Sequence, residues 1–153
     1  NDLPEFTSTP ITTATEDTNY SYTVVTSDVD VGDSVTLTGT TLPSWLLLNT
    51  TTNVLSGTPL NSHVGANNVV IKATDSAGGV STQSFTITVA NTNDAPVFTS
   101  TPITTINEDS LYSYTVTTND VDVGDSTTLS VKKKTKLVIF KYNDRCFIRY
   151  TFK

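Results

Sequence analysis

Apolar and polar positions alternate with a period of two through most of residues 1–92. In YSYTVV, Tyr20, Tyr22 and Val24 fall on one side, with Ser21 and Thr23 on the other. In NVVIKA, Val69, Ile71 and Ala73 alternate with Val70 and Lys72. In SFTITV, Phe85, Ile87 and Val89 alternate with Thr86 and Thr88. Each pattern predicts a strand with one face buried and Thr or Lys on the wet face. The segments DVGD, LPSW, SGTP, SHVGANN, DSAGG and NTND separate them as turns. No window carries a sustained helical stripe. About seven short strands spaced this way predict an all-β fold, a two-sheet antiparallel Greek-key sandwich. Phe6, Trp45 and Leu55 are expected to join the core. Trp45 has Leu42, Leu46 and Leu48 around it, which favours the core over an exposed sugar-binding platform.

The pattern then repeats. Residues 1–37 lie over 93–129 at an offset of 92, with nine positions differing and 37 − 9 = 28 the same. A repeat this long is a domain rather than a solenoid unit. The expected organisation is a complete module over 1–92, the N-terminal part of a second over 93–130, and an atypical basic tail over 131–153. The tail begins where the repeat calls for further strands, which reads as a frameshift or truncation. A polybasic segment that holds an anionic surface is the functional alternative. The alternation in KLVIFKY is compatible with a substitute strand on the second module, and a half sandwich is expected to be marginal alone.

Composition sharpens this. Thr is the commonest residue, 32 of 153, and it favours strands over helices. Residues 1–131 hold 14 acidic groups and one basic group, Lys72, while residues 132–153 hold eight basic groups and one acidic group. The formal charges are −13 and +7, which sum to the −6 of the whole chain. The acidic part would repel phosphate, so nucleic acid is not an expected partner. One cysteine, Cys146, allows no intrachain disulfide. With no methionine, the chain is expected to be a piece of a longer protein. No apolar run approaches the roughly 20 residues of a membrane span.

The acids cluster. SDVDVGDS at 27–34 holds Asp28, Asp30 and Asp33, and NDVDVGDS at 119–126 repeats it. Calcium takes about 6–8 oxygen ligands in irregular geometry, whereas magnesium keeps its waters and a strict octahedron. Alternation puts Asp28 and Asp30 on one side, and Gly32 lets the chain bend back towards Asp33. The competing account is that Asp and Gly simply make a turn. An EF-hand is excluded, since no Glu closes a twelve-residue loop.

Enzyme readings find little support, and no catalytic residue is expected. His63 is the one histidine and pairs with no Cys or Asp in sequence. Glu16 and Asp17 are adjacent, and neighbours on a strand face opposite ways. No phosphate-binding glycine loop, zinc spacing or nucleophile elbow occurs. Asn19 and Asn49 sit in N-x-S/T acceptors, a cheap match in a Thr-rich chain.

Taken in order, TED (15–17) and NED (107–109), YSYTV, DVDVGD, LPSWLLLN, VLSGTP, VGANNVVIKATDSAGG, FTITV and NTNDAPVF carry a resemblance. The sequence resembles the dystroglycan-type cadherin-like domains and the related immunoglobulin-like repeats of bacterial surface proteins. The resemblance implies seven-stranded Greek-key sandwiches strung in tandem outside the cell, with calcium as the cofactor. Cadherins bind calcium between repeats through an early Glu, a D-x-D loop, an A-x-D strand end and an N-D linker. Carried over by motif, Glu16 and Asp17 would join Asn93, Asp94, Asp120 and Asp122 in one site. Asn1, Asp2, Asp28, Asp30 and Asp75 would form the corresponding site at the top of the first module. Cadherins also carry a D-R-E motif, where this chain reads LNSH at 60–63, so weaker calcium binding is implied. The expected role is adhesion or calcium-stiffened spacing on a cell surface. Adjacent repeats and a surface protein or polysaccharide are the implied partners. A carbohydrate-binding accessory module of a secreted enzyme and an ion-free spacer are the alternatives.

Overall fold

A computed structural model describes residues 1–131 and the backbone strands 137–142 and 145–150. The chain forms two compact units, Asn1–Thr92 and Asn93–Lys153.

The first unit has nine short strands: β1 (Glu5–Phe6), β2 (Thr13–Thr15), β3 (Tyr20–Thr23), β4 (Thr26–Ser27), β5 (Thr36–Thr41), β6 (Leu47–Asn49), β7 (Val54–Gly57), β8 (Gly65–Thr74) and β9 (Val80–Ala90). One sheet runs β2-β9-β8-β5 and the other β3-β7-β6, while β1 pairs with β4. The chain changes sheets between β2 and β3, β3 and β5, β5 and β6, and β7 and β8, in the manner of a Greek key. Every pairing is antiparallel except that of β2 with β9, which is parallel. Among the described residues there is no α-helix, and no helix is long and apolar enough to cross a membrane.

The core follows from the alternation. Tyr20, Tyr22 and Val24 from one sheet meet Val69, Ile71, Ala73, Ile87 and Val89 from the other, closed by Leu37, Leu46 and Leu55. Full burial of a side chain the size of Leu55 or Ile71 is worth roughly 1.5–3 kcal/mol over leaving it wet. Phe6 and Phe85 pack against this cluster, half-buried, with Phe85 edge-on to Tyr22. The two tyrosines bury their rings and keep their hydroxyls bonded. Tyr20 Oη donates to the Ile11 carbonyl at 2.8 Å, and Tyr22 Oη meets Ser8 Oγ at 2.7 Å. Burial, with Tyr22 nearby as a smaller cause, pushes the Tyr20 hydroxyl up to about 12.

Trp45 belongs to the core rim. Its ring stands edge-on to Tyr20 at 5.8 Å, and Nε1 donates to Asn67 Oδ1 at 3.0 Å. Asn67 Nδ2 in turn donates to the carbonyls of His63 and Gly65, so the indole is locked from both sides. His63 is also held: Nδ1 accepts the Leu60 N–H at 2.9 Å and Nε2 meets Ser44 Oγ at 3.2 Å. His63 is thus a half-buried pin of the 60–64 turn. Gly57 is required where β7 passes Trp45, because a Cβ there would overlap the Trp45 carbonyl oxygen.

The second unit holds β10 (Val97–Phe98), β11 (Tyr112–Val116), β12 (Thr118–Asn119), β13 (Leu137–Tyr142) and β14 (Arg145–Tyr150). Its repeat-derived part keeps the register of the first. Val97 pairs with Asn119 and Phe98 with Thr118, as Glu5 pairs with Ser27 and Phe6 with Thr26. Ser100 Oγ meets Tyr114 Oη, and Tyr112 Oη donates to the Ile103 carbonyl. The alternation in KLVIFKY does become a strand, β13, but β14 is the strand that pairs with β11. The order β11-β14-β13 repeats β3-β7-β6, so a hairpin of unrelated sequence stands in the place of the β6–β7 hairpin.

Candidate metal centre

In the first unit, three segments bring acids to one end. They are the N-terminal residues, the β4–β5 loop and the β8–β9 turn. Asp28, Asp33 and Asp75 each offer a carboxylate oxygen, and the three oxygens lie within 4.8 Å of one another. Asp28 Oδ1 accepts the Asp30 N–H at 2.9 Å, which fixes the loop. Gly32, at φ 98°, then reverses the chain, and the Asp33 N–H returns to the Asp30 carbonyl at 3.2 Å. That reversal sets Asp33, rather than Asp30, beside Asp28. Asp33 Oδ1 accepts the Ser76 hydroxyl at 2.7 Å, tying the loop to the β8–β9 turn.

Asp75 is 5 % exposed. Burial would raise its carboxyl, but hydrogen bonds from Asn1 and the backbone N–H groups of Gly79, Ala77 and Gly78 outweigh it. They hold the group below its ordinary value near 3.8. Asn1 Nδ2 donates to Oδ2 at 3.2 Å, while Ala77 and Gly79 donate to Oδ1 at 2.9 and 2.8 Å. Gly79 must be glycine here, since a Cβ would press on Asp75 Oδ2, Asn1 Nδ2 and Leu3 Cδ2. A lowered folded-state value means stability that is present above the unfolded value and lost as pH falls through the folded one. The expected result is a melting midpoint that drops as pH falls below about 4. Replacing Asp75 by Asn should flatten that part of the profile, read by melting curves across the acid range. An unchanged slope in the variant would show that Asp75 carries no such linkage.

The remaining residues of the expected top site are present with different jobs. Asp30 Oδ2 accepts the Asp2 N–H at 2.6 Å, and Asn1 Nδ2 also donates to the Asp2 carbonyl. The Asp30 carboxylate thus turns to the N-terminal strap. Asp33 was not among the ligands the resemblance implies. Its signal in the sequence was the third acid of DVDVGD next to a glycine.

Of the set implied for a shared site, Glu16 and Asp17 lie in the first unit and Asn93, Asp94, Asp120 and Asp122 in the second. Glu16 is 2 % exposed. Its Oε2 accepts the Thr92 N–H at 3.1 Å and its backbone N–H donates to the Ala90 carbonyl. Asp17 takes a left-handed φ of 57° and donates its N–H to the Pro59 carbonyl. Both therefore help close the far end of the unit. The eleven residues of β9 place them about 30 Å from Asp75. In the second unit, Asp120, Asp122 and Asp125 each bring a carboxylate oxygen within 4.8 Å of the others. Asp122 Oδ2 accepts the Asp94 N–H at 2.7 Å, as Asp30 accepts that of Asp2, and Asn93 Nδ2 donates to the Asp94 carbonyl.

The chemistry of this donor set fits a hard divalent cation. All donors are oxygens, as calcium prefers. Asp28 Oδ2 is buried and has no hydrogen-bond partner, an arrangement that costs free energy unless something positive approaches it. Three carboxylate oxygens within 4.8 Å of one another repel unless a cation joins them. Turn chemistry accounts for Asp28 Oδ1, but it leaves Oδ2 and this repulsion unanswered.

Fold and site together define an immunoglobulin- or cadherin-like β-sandwich module with an acid-lined loop cluster at one end. The chain belongs to the family described as Putative Ig domain, whose model matches residues 4–90. No curated protein matches the chain. Among solved structures it is similar to PcdhgB3 EC1-4, at TM-score 0.62 and 17 % identity, covering 96 % of this chain and 40 % of that one. It is similar to Protocadherin Gamma B2 extracellular cadherin domains 3-6, at TM-score 0.59 and 16 % identity, covering 95 % and 38 %. It is also similar to the endo-fucoidan hydrolase MfFcnA4 from glycoside hydrolase family 107, at TM-score 0.52 and 25 % identity, covering 96 % and 24 %. The chain spans less than half the length of each. The two cadherin likenesses show the fold alone.

Proposed function

We propose that this chain is a non-catalytic, calcium-binding module of an exported protein, serving adhesion or spacing at a cell surface. The observation that carries the reading is the Asp28–Asp33–Asp75 cluster with its buried, unpartnered Asp28 Oδ2. Calcium would be held by those carboxylates, with Asp30, Asp2 and Asn1 shaping the loop around them. In the second unit Asp120, Asp122 and Asp125 would do the same, supported by Asn93 and Asp94. Charge neutralisation would order each loop, and in a tandem array that ordering stiffens the chain of modules. The partners are adjacent repeats and a surface protein or polysaccharide.

Isothermal titration tests this directly. Calcium should give saturable binding that magnesium at equal concentration does not reproduce. The double variant Asp28→Asn, Asp30→Asn should lose the first unit's share while keeping that of the second. Equal responses to the two ions, or none, would sink the reading.

A second reading rests on the likeness to the fucoidan hydrolase: the module is an accessory domain of a secreted polysaccharide-degrading enzyme. Trp45 gives it no aromatic platform, because the indole is committed to Tyr20 and Asn67. That reading therefore makes the module a spacer within the enzyme rather than its sugar-binding surface.

A further inference from the structure

His63 is the one histidine, and both nitrogens of its ring are committed. Nδ1 accepts the Leu60 N–H at 2.9 Å, so the neutral ring carries its proton on Nε2, which faces Ser44 Oγ at 3.2 Å. That arrangement leaves no place for a second proton. An imidazolium has two donors and no acceptor, and its Nδ1–H would point at the Leu60 N–H. The backbone pinned by this bond is a single 3-10 turn, Asn61–His63, an element with poor hydrogen-bond geometry of its own. Its other bonds are short-range: the His63 N–H to the Leu60 carbonyl and the Val64 N–H to that of Asn61.

The elements packed around the ring offer little charge to offset a second proton. Segments 42–49 and 58–64, which supply Ser44, Trp45 and Leu60, contain no Asp, Glu, Lys or Arg. Lys72 of β8 lies on the sheet face opposite Asn67, an odd number of residues away. Asp17 meets the turn through its backbone N–H on the Pro59 carbonyl, and its side chain is exposed.

We propose that His63 is a pH-sensitive latch: gain of a second proton breaks its bond to Leu60 and opens the 60–64 turn while the rest of the unit stays folded. Imidazole ordinarily takes that proton near pH 6.5. The bond is made by the neutral ring alone, so its contribution is present at neutral pH and lost as pH falls. The opening reaches two neighbours. The Trp45 ring lies 6.4 Å from that of His63, and Asn67, which accepts from Trp45 Nε1, donates to the His63 carbonyl. Asp17 is held in its left-handed turn by the Pro59 carbonyl, directly before Leu60. Acid therefore loosens the end of the unit that carries Glu16 and Asp17. The Asp28–Asp33–Asp75 loop, at the other end, takes no part.

The test is a titration of the full chain by NMR and fluorescence from about pH 8 to about pH 5, across the imidazole range. At the upper end the ring nitrogen shifts should report the Nε2–H tautomer. As the ring gains its proton, hydrogen-exchange protection of the Leu60 amide should fall about tenfold, the effect of one lost hydrogen bond. Emission of Trp45, the one tryptophan, should change at the same midpoint. The amides of Val69 and Ile71 in β8 should keep their protection. His63→Gln, which gains no proton in this range, should show neither change. Four results would each overturn the proposal. They are an Nδ1–H tautomer at neutral pH, a ring that titrates while Leu60 stays protected, a Trp45 change that persists in His63→Gln, and loss of protection at Val69 and Ile71 together with Leu60, which is global unfolding. All but the third are read on the parent chain, so they decide the matter even where the variant does not fold.

Discussion

Saturating calcium should raise the melting midpoint of the first unit by about 10–20 °C. A ligand that binds only the folded state adds about 2.7 kcal/mol at a hundred times its dissociation constant. In a unit of this size, Asn1–Thr92, each kcal/mol moves the midpoint by about 4–8 °C. The gain is lost when Asp28 is replaced by Asn, because the buried Oδ2 no longer carries charge. The same variant in chelator should melt no lower than the parent, since removing one of three crowded carboxylates relieves repulsion that nothing then offsets. That pair of results separates a lost ion from a damaged fold. Melting followed by Trp45 fluorescence in calcium, magnesium and chelator is the measurement. No calcium-specific shift up to millimolar concentration would reduce DVDVGD to a turn.

Leu55→Ala should lower the midpoint by about 10–25 °C, whereas Leu47→Ala should leave it within a few degrees. The two leucines lie on neighbouring strands, and Leu55 pairs with Leu48 across β6 and β7. Leu55 is fully buried while Leu47 is 72 % exposed. Truncating a buried leucine removes its transfer free energy and leaves a cavity, at a cost of about 2–5 kcal/mol. A surface change away from special features stays within about 0.5 kcal/mol. Against a typical total of about 5–15 kcal/mol, the first is a large share and the second is not. Urea or thermal melts of the two variants decide it, and equal effects would mean that β7 is not the centre of the core.

The strands that carry the core were legible because Tyr20, Tyr22 and Val24 alternate with Ser21 and Thr23, and the pleat converts that spacing into one buried face. Trp45 was legible through its leucine neighbours, although Asn67 as the partner of Nε1 was not. That bond links residues 22 apart, across a turn that local pattern does not describe. The acid site was half legible. Alternation selected Asp28 and Asp30, but Gly32 at φ 98° breaks the alternation, and Asp33 takes the place beside Asp28. The structural work of Glu16 was hidden for a similar reason, as its partner Thr92 lies 76 residues away. The β13–β14 hairpin was visible only as alternation in KLVIFKY. Which strand it would pair with depends on a long-range contact that no local signal encodes.

The parallel pairing of β2 with β9 has a consequence under tension. A force that pulls the two ends of the first unit apart acts through Asn1 on one side and Thr92 on the other. Because Thr13–Thr15 run beside Thr88–Ala90 in the same direction, that force slides the two strands past each other instead of peeling them open. The flanking bonds, Thr88 N–H to the Thr12 carbonyl and Glu16 N–H to that of Ala90, are loaded together rather than one at a time. Glu16 adds a further brace by holding Thr92 through both its side chain and its carbonyl. A short patch of backbone thus acts as a shear clamp, suited to a link in a chain that must carry load.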